Sequence, residues 1–123
     1  MSTHTHALMH RGATSMQFKA VQGDYIRELR EAKGLTQVEL ANAVGLRWAT
    51  HISAIENGRS AVSPERYVEF AEALGVDLRE FGKKMLEFNA PYTYALLFAP
   101  DPKKAIAALN EMIPPRVGKR TKA

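Results

Sequence analysis

A chain of 123 residues with no cysteine and 46% hydrophobic content is one domain's worth of globular protein with some additional segment, and disulfides and thiolate metal sites are excluded. No apolar run approaches the length of a bilayer and no charged-then-apolar leader opens the sequence, so a cytoplasmic protein without a membrane partner is expected. The net charge of +4 and pI near 9.5 suggest nucleic acid, but between positions 24 and 87 nine Lys or Arg face eleven Asp or Glu, whereas the flanks carry eight against two. Flanking Arg11, Lys19, Arg116, Lys119, Arg120 and Lys122 either attract phosphate or keep the chain soluble.

Residues 1–22 show no usable periodicity and are expected to be mostly disordered, with Met16 a second candidate start. His4, His6 and His10 have no carboxylate or thiol partners nearby, so no metal site is expected there. A first helix is expected from Asp24 to Lys33, capped by Asp24, with Ile26 and Leu29 on its core side, joined there by Tyr25 and Ala32.

A second helix opens at Thr36, whose hydroxyl can cap it while Glu39 reaches back to the Thr36 N–H. Leu35, Leu40 and Val44 form its apolar stripe, flanked by Val38 and Ala41, before Gly45 supplies the left-handed exit. After the turn, Trp48, Ile52 and Ile55 share one face of a third helix at spacings of four and three. The other face carries Ala49, Thr50, Ser53, Ala54 and Asn57, small or polar side chains that would not fill a core. Two helices joined by a short turn, the second slim enough to enter a major groove, make a DNA-reading helix-turn-helix.

Ser63-Pro64-Glu65 opens a fourth helix with Tyr67, Val68, Phe70, Ala71 and Leu74 inward, and with Glu65, Glu69 and Glu72 on an outer side that phosphate would repel. Asp77 caps a fifth helix through Leu78, Phe81, Met85, Leu86 and Phe88. Beyond Asn89, an apolar run from Tyr94 to Phe98 precedes a last helix opened by Asp101-Pro102, with Ala105, Ile106, Leu109 and Met112 on one side. These residues either cover the domain or meet their copy in a second chain, and dimerisation is favoured because two recognition helices read a longer site. No carboxylate pair, nucleophile with a base, phosphate-cradling glycine loop or metal spacing is present, so neither an enzyme nor a cofactor is expected.

The residues Gly34-Leu35-Thr36-Gln37, Glu39-Leu40-Ala41, Val44-Gly45, Ile52-Ser53, Ile55-Glu56-Asn57-Gly58-Arg59 and Ala73-Leu74-Gly75-Val76 resemble the lambda-repressor-like (Cro/repressor, XRE-type) helix-turn-helix family over roughly Tyr25 to Leu86. Between Gly45 and Ile52 the chain holds one residue more than the usual turn of that family. The resemblance implies an ion pair between Arg30 and Glu56, tying the first helix to the end of the third. It also implies DNA phosphate contacts by Gln37, Asn57 and Arg59, with Arg47 in the extended turn a further candidate. Base reading is expected from Thr50 and Ser53 at base edges and from Ala49 and Ala54 against thymine methyls. These side chains are too short for bidentate grips, so water bridges and DNA shape are expected to carry much of the specificity. His51 is placed at the edge of the apolar stripe, as packing residue or reader. Trp48 is favoured as core, with the extra residue as the reason it could instead meet phosphate.

The expected fold is all-α: a five-helix lambda-repressor-like domain over 23–89, a helical extension over 90–113 that serves dimerisation, and a basic tail over 114–123. The expected function is a sequence-specific DNA-binding transcriptional regulator, a dimeric repressor reading an inverted repeat in double-stranded DNA. The alternatives are an antitoxin-type autorepressor whose C-terminal segment also holds a toxin protein, and a protein-interaction module that does not bind DNA.

Overall fold

The computed structural model describes residues 15–112. Its elements in chain order are α1 (Ser15–Ala32), α2 (Gln37–Ala43), α3 (Ala49–Glu56), a 3-10 turn (Pro64–Arg66), α4 (Tyr67–Leu74), α5 (Leu78–Asn89), α6 (Pro91–Phe98) and α7 (Pro102–Met112), with no strand among the described residues. The fold is all-α, as the helical periodicity predicts. Residues 1–14 and 113–123, with His4, His6, His10, Arg11 and the basic tail, lie outside the described residues.

The first helix departs from the sequence expectation. It begins at Ser15, nine residues ahead of Asp24, so the second part of the segment expected to be disordered is helical. The cause is tertiary. Phe18 is buried against Ala95 of α6 and Leu109 of α7, and Val21 packs beside it. Burial of an aromatic ring here stabilises turns that propensity alone would leave marginal. Asp24 therefore lies within the helix and pairs with Arg27 at 3.0 Å instead of capping it. Gly23, which interrupts the apolar pattern, sits where α1 crosses the end of α3. A Cβ there would lie 2.5 Å from the Ile55 carbonyl oxygen and 2.6 Å from that of Glu56, so only glycine permits this approach.

Helix α2 opens with the complete capping box: the Glu39 N–H donates to Thr36 Oγ1 at 3.0 Å, and the Thr36 N–H donates to Glu39 Oε1 at 2.8 Å. Leu40, Ala41 and Val44 are buried, but Val38 is exposed and does not flank the core. Gly45 takes φ +76°, and the Leu46 N–H donates back to the Ala41 carbonyl, closing the helix in the way its missing Cβ allows. Arg66 reinforces this exit by donating from Nη1 to the Val44 carbonyl at 2.6 Å.

The main core joins Ile26 of α1, Leu40 and Val44 of α2, Ile52 and Ile55 of α3, Phe70 and Leu74 of α4, and Phe81, Met85 and Phe88 of α5. Ser63 makes no side-chain cap bond, so Pro64 first enters the 3-10 turn and α4 proper starts at Tyr67. Val68, expected inward, is exposed, as is Leu78. Asp77 accepts from the Arg79 and Glu80 N–H groups and caps α5, and Asp101 accepts from the Lys104 N–H at the start of α7. The second, smaller cluster of Phe18, Ala95 and Leu109, with Ala105, Ile106 and Met112 against it, seats α6 and α7 on the far end of α1.

Candidate nucleic-acid interface

Helix α3 is held from beneath by its C-terminal turn. Glu56 has a side chain only 2% exposed, and a carboxylate so buried must be paired to remain charged. Arg30 donates to it twice, from Nε to Oε2 at 2.6 Å and from Nη2 to Oε1 at 3.0 Å, the planar two-point geometry that guanidinium suits. Arg30 Nη1 also donates to the Leu35 carbonyl at 2.8 Å. Its guanidinium is held above the ordinary arginine pKa, chiefly by the hydrogen bond with Glu56 and against the opposing cost of burial.

Two more side chains join this anchor. Arg27 donates from Nη2 to the Glu56 carbonyl at 2.9 Å, satisfying an orphan acceptor of the helix end. Gln37 donates from Nε2 to Glu56 Oε1 at 3.0 Å, so its amide nitrogen is turned to the anchor, while the residue sits at the first position of α2.

Gln22 and Arg27 are residues that sequence reasoning missed. Gln22 is fully buried; its Oε1 accepts from the Val62 N–H at 3.0 Å and its Nε2 donates to Asn89 Oδ1 at 2.8 Å. It fixes the strap that leaves α3. The available signal was its register, four residues ahead of Ile26 on the same helix face, but the residues before it show no periodicity that would extend the helix.

The opposite side of α3 is open. Thr50, His51, Asn57 and Arg59 are exposed, and Ala49, Ser53 and Ala54 are half-buried. Asn57 Nδ2 lies 3.3 Å from Ser53 Oγ and donates to it, joining these two polar groups along the outer face. Arg47 is exposed one residue before Trp48. Trp48 corrects the sequence expectation: it is 59% exposed and stands at the N-cap position of α3 with extended backbone and no side-chain cap. It stands ahead of the first helical residue, Ala49, while Ile52 and Ile55 fill the core without it. His51 is exposed and borders a surface cavity lined also by Leu46, Ile55 and Phe70, the edge position expected from the sequence. Of the residues proposed from sequence to touch DNA, Arg47, Thr50, His51, Ser53, Asn57 and Arg59 are therefore reachable on or beside one helix, with Ala49 and Ala54 between them.

A helix-turn-helix family model matches residues 26–81, which include α2, the turn, α3, α4 and the core residues from Ile26 to Phe81. Residues 26–81 form a lambda-repressor-like helix-turn-helix domain. This XRE-type domain is a DNA-binding module of transcription regulators, and its two middle helices are the α2 and α3 described above. No curated protein matches the chain. Among the described residues, no helix is long and apolar enough to cross a membrane.

The matched segment ends within α5. Helices α6 and α7 extend it, and α6 is unusual in having no charged side chain over its whole length, PYTYALLF. Ala95 turns inward while Leu96 and Leu97 are 62% and 66% exposed.

Proposed function

We propose that this protein is a dimeric transcriptional repressor that places α3 in the major groove of double-stranded DNA and reads an inverted repeat. The observation that carries this reading is the two-sided character of α3. One side is locked to α1 through Arg30 and Glu56, and the other presents Thr50, Ser53 and Asn57 outward with Arg47 and Arg59 at its two ends. Hydroxyls and an amide on a rigid slim helix meet base edges, and the flanking guanidinium groups neutralise phosphates.

In this reading Ala49 and Ala54 pack on thymine methyls, and His51 lies at the groove edge. Gln37, with its amide nitrogen taken by Glu56, steadies the recognition helix and offers its carbonyl side alone. The chain divides at the end of α5: 23–89 binds DNA, 90–113 pairs two copies, and the basic tail 114–123 adds long-range attraction to the duplex. The protein acts in the cytoplasm as a repressor by occluding a promoter.

Dimerisation is supported by α6. Its exposed Leu96, Leu97 and Phe98 form an apolar face that gains stability when covered, and an uncharged helix can meet its own copy across a two-fold axis without opposing like charges. Footprinting on DNA flanking the protein's own gene tests the whole reading. A protected palindrome is the expected result. Protection of a single half-site would remove the dimer, and no protected sequence at low salt would leave a protein-interaction module instead. Co-purification of a small partner bound through α6, with self-repression retained, would favour the antitoxin form.

A further inference from the structure

Trp48 is the chain's only tryptophan, and no packing within the described residues accounts for it. It belongs to neither hydrophobic cluster, its ring is largely exposed, and its neighbour Arg47 holds its guanidinium carbon 5.6 Å from the ring centroid. An exposed indole lined by a cation is a preorganised pair: the flat ring offers apolar area at little rotamer cost, and the ring quadrupole fixes the charge beside it. Two residues further on, Thr50 is exposed on the outer face of α3, so the pair stands at the threshold of the proposed reading surface.

We propose that Arg47 and Trp48 form one DNA-contacting unit, the indole packing on deoxyribose and a thymine methyl at the groove wall while the guanidinium pairs with the adjoining phosphate. The inference rests on the DNA-binding reading above and adds to it a contact that the short readers cannot make. Between positions 24 and 87 acidic residues outnumber basic ones, so electrostatic attraction is weak there and apolar contact has more to supply. The alternating sugar and phosphate of a duplex backbone matches a ring beside a cation.

The single indole is its own probe. A duplex of about 20 base pairs, long enough for two half-sites one helical turn apart, is selected from a randomised pool by retention on the full-length wild-type protein and titrated while Trp48 emission and acrylamide quenching are followed. Binding is expected to shift the emission and protect the ring from quencher. Trp48→Ala is expected to weaken affinity for that duplex about ten-fold with the salt slope unchanged, and Trp48→Phe to recover most of the loss. Arg47→Ala is expected to lower the salt slope by about one. Thermal unfolding of the free proteins should match wild type, which separates a contact from a structural role. A wild-type protein that retains the duplex while Trp48 emission and quenching stay unchanged overturns this proposal and leaves the DNA-binding reading standing. A pool that yields no retained duplex overturns both.

Discussion

Arg30 and Glu56 lie 26 positions apart in the chain, yet the guanidinium of one grips both carboxylate oxygens of the other at 2.6 and 3.0 Å. This pair fixes the end of α3 to α1, so the orientation of the outer face is decided by chemistry on the inner one. Glu56 is also within 3.8 Å of Arg27 Nε and accepts from Gln37, which leaves no oxygen unpartnered. Removing the carboxylate strands a guanidinium that is nearly enclosed. Glu56→Ala is therefore expected to cost about 3 kcal/mol, because the loss of one partner from a buried pair leaves the other uncompensated. Urea unfolding measures this; a midpoint equal to wild type would remove the anchor from the account. Arg30→Lys should recover little, since an ammonium cannot make the two-point contact.

Gln22 tests the same principle without charge. Gln22→Ala deletes the acceptor of the buried Val62 N–H and the donor to Asn89. An orphaned buried donor costs about 1 to 3 kcal/mol, and the resulting loss of stability is expected in chemical denaturation. Amide exchange at Val62 should accelerate more than at Leu40, because the strap after α3 is released while the α2 core is not.

The contrast between these two residues shows what the sequence carries. Arg30 and Glu56 could be paired before any coordinates because they stand in a pattern of many positions in fixed order, and the capping box of Thr36 and Glu39 is a local rule that local sequence satisfies. The start of α1 was not legible, because Phe18 becomes helical through contact with Ala95 and Leu109, over seventy residues distant in the chain. Trp48 was misplaced for a related reason. Its spacing to Ile52 fits a buried stripe, but helical spacing has no meaning for a residue standing before the helix begins.

At Gly23 the backbone of α1 lies directly against the end of α3. With carbonyl oxygens 2.5 and 2.6 Å from the position a Cβ would occupy, Gly23→Ala has no flexible neighbour to displace, and the helices must separate. The gain in helix propensity from replacing glycine is about 1 kcal/mol, and overpacking costs about 1 to 3 kcal/mol, so net destabilisation is expected. Thermal unfolding decides the sign. A more stable Gly23→Ala protein would mean that the crossing is looser than its geometry states.

In the proposed DNA-binding reading, the outer face of α3 makes two kinds of contact, to base edges and to phosphates. Thr50→Ala is expected to weaken binding to a selected duplex by about 1 kcal/mol and to relax preference at one position, because it removes a base-edge group. Arg59→Ala should instead weaken binding to all sequences alike and lower the salt slope by about one. Both side chains are exposed, so the free proteins should unfold as wild type does. Fluorescence anisotropy across a salt series and a panel of single-base variants measures both effects; a sequence-dependent loss for Arg59→Ala would reverse the assignment.

Helix α6 supplies the test of symmetry. Leu96 and Leu97 project away from Ala95, the residue that seats the helix on Phe18 and Leu109, so their replacement should leave the monomer fold unaffected. If a second copy covers this face, Leu96→Ser together with Leu97→Ser removes apolar area from both sides of a two-fold contact at once, and each leucine lost from the contact weakens association by about 1.5 to 3 kcal/mol per side. Sedimentation equilibrium is expected to show a dimer for wild type and a monomer for the double variant, with unchanged helical circular dichroism. DNA affinity should then fall more on a palindrome than on an isolated half-site, because only the palindrome engages both recognition helices. A double variant that remains dimeric would place the contact on another surface and leave α6 to a different protein.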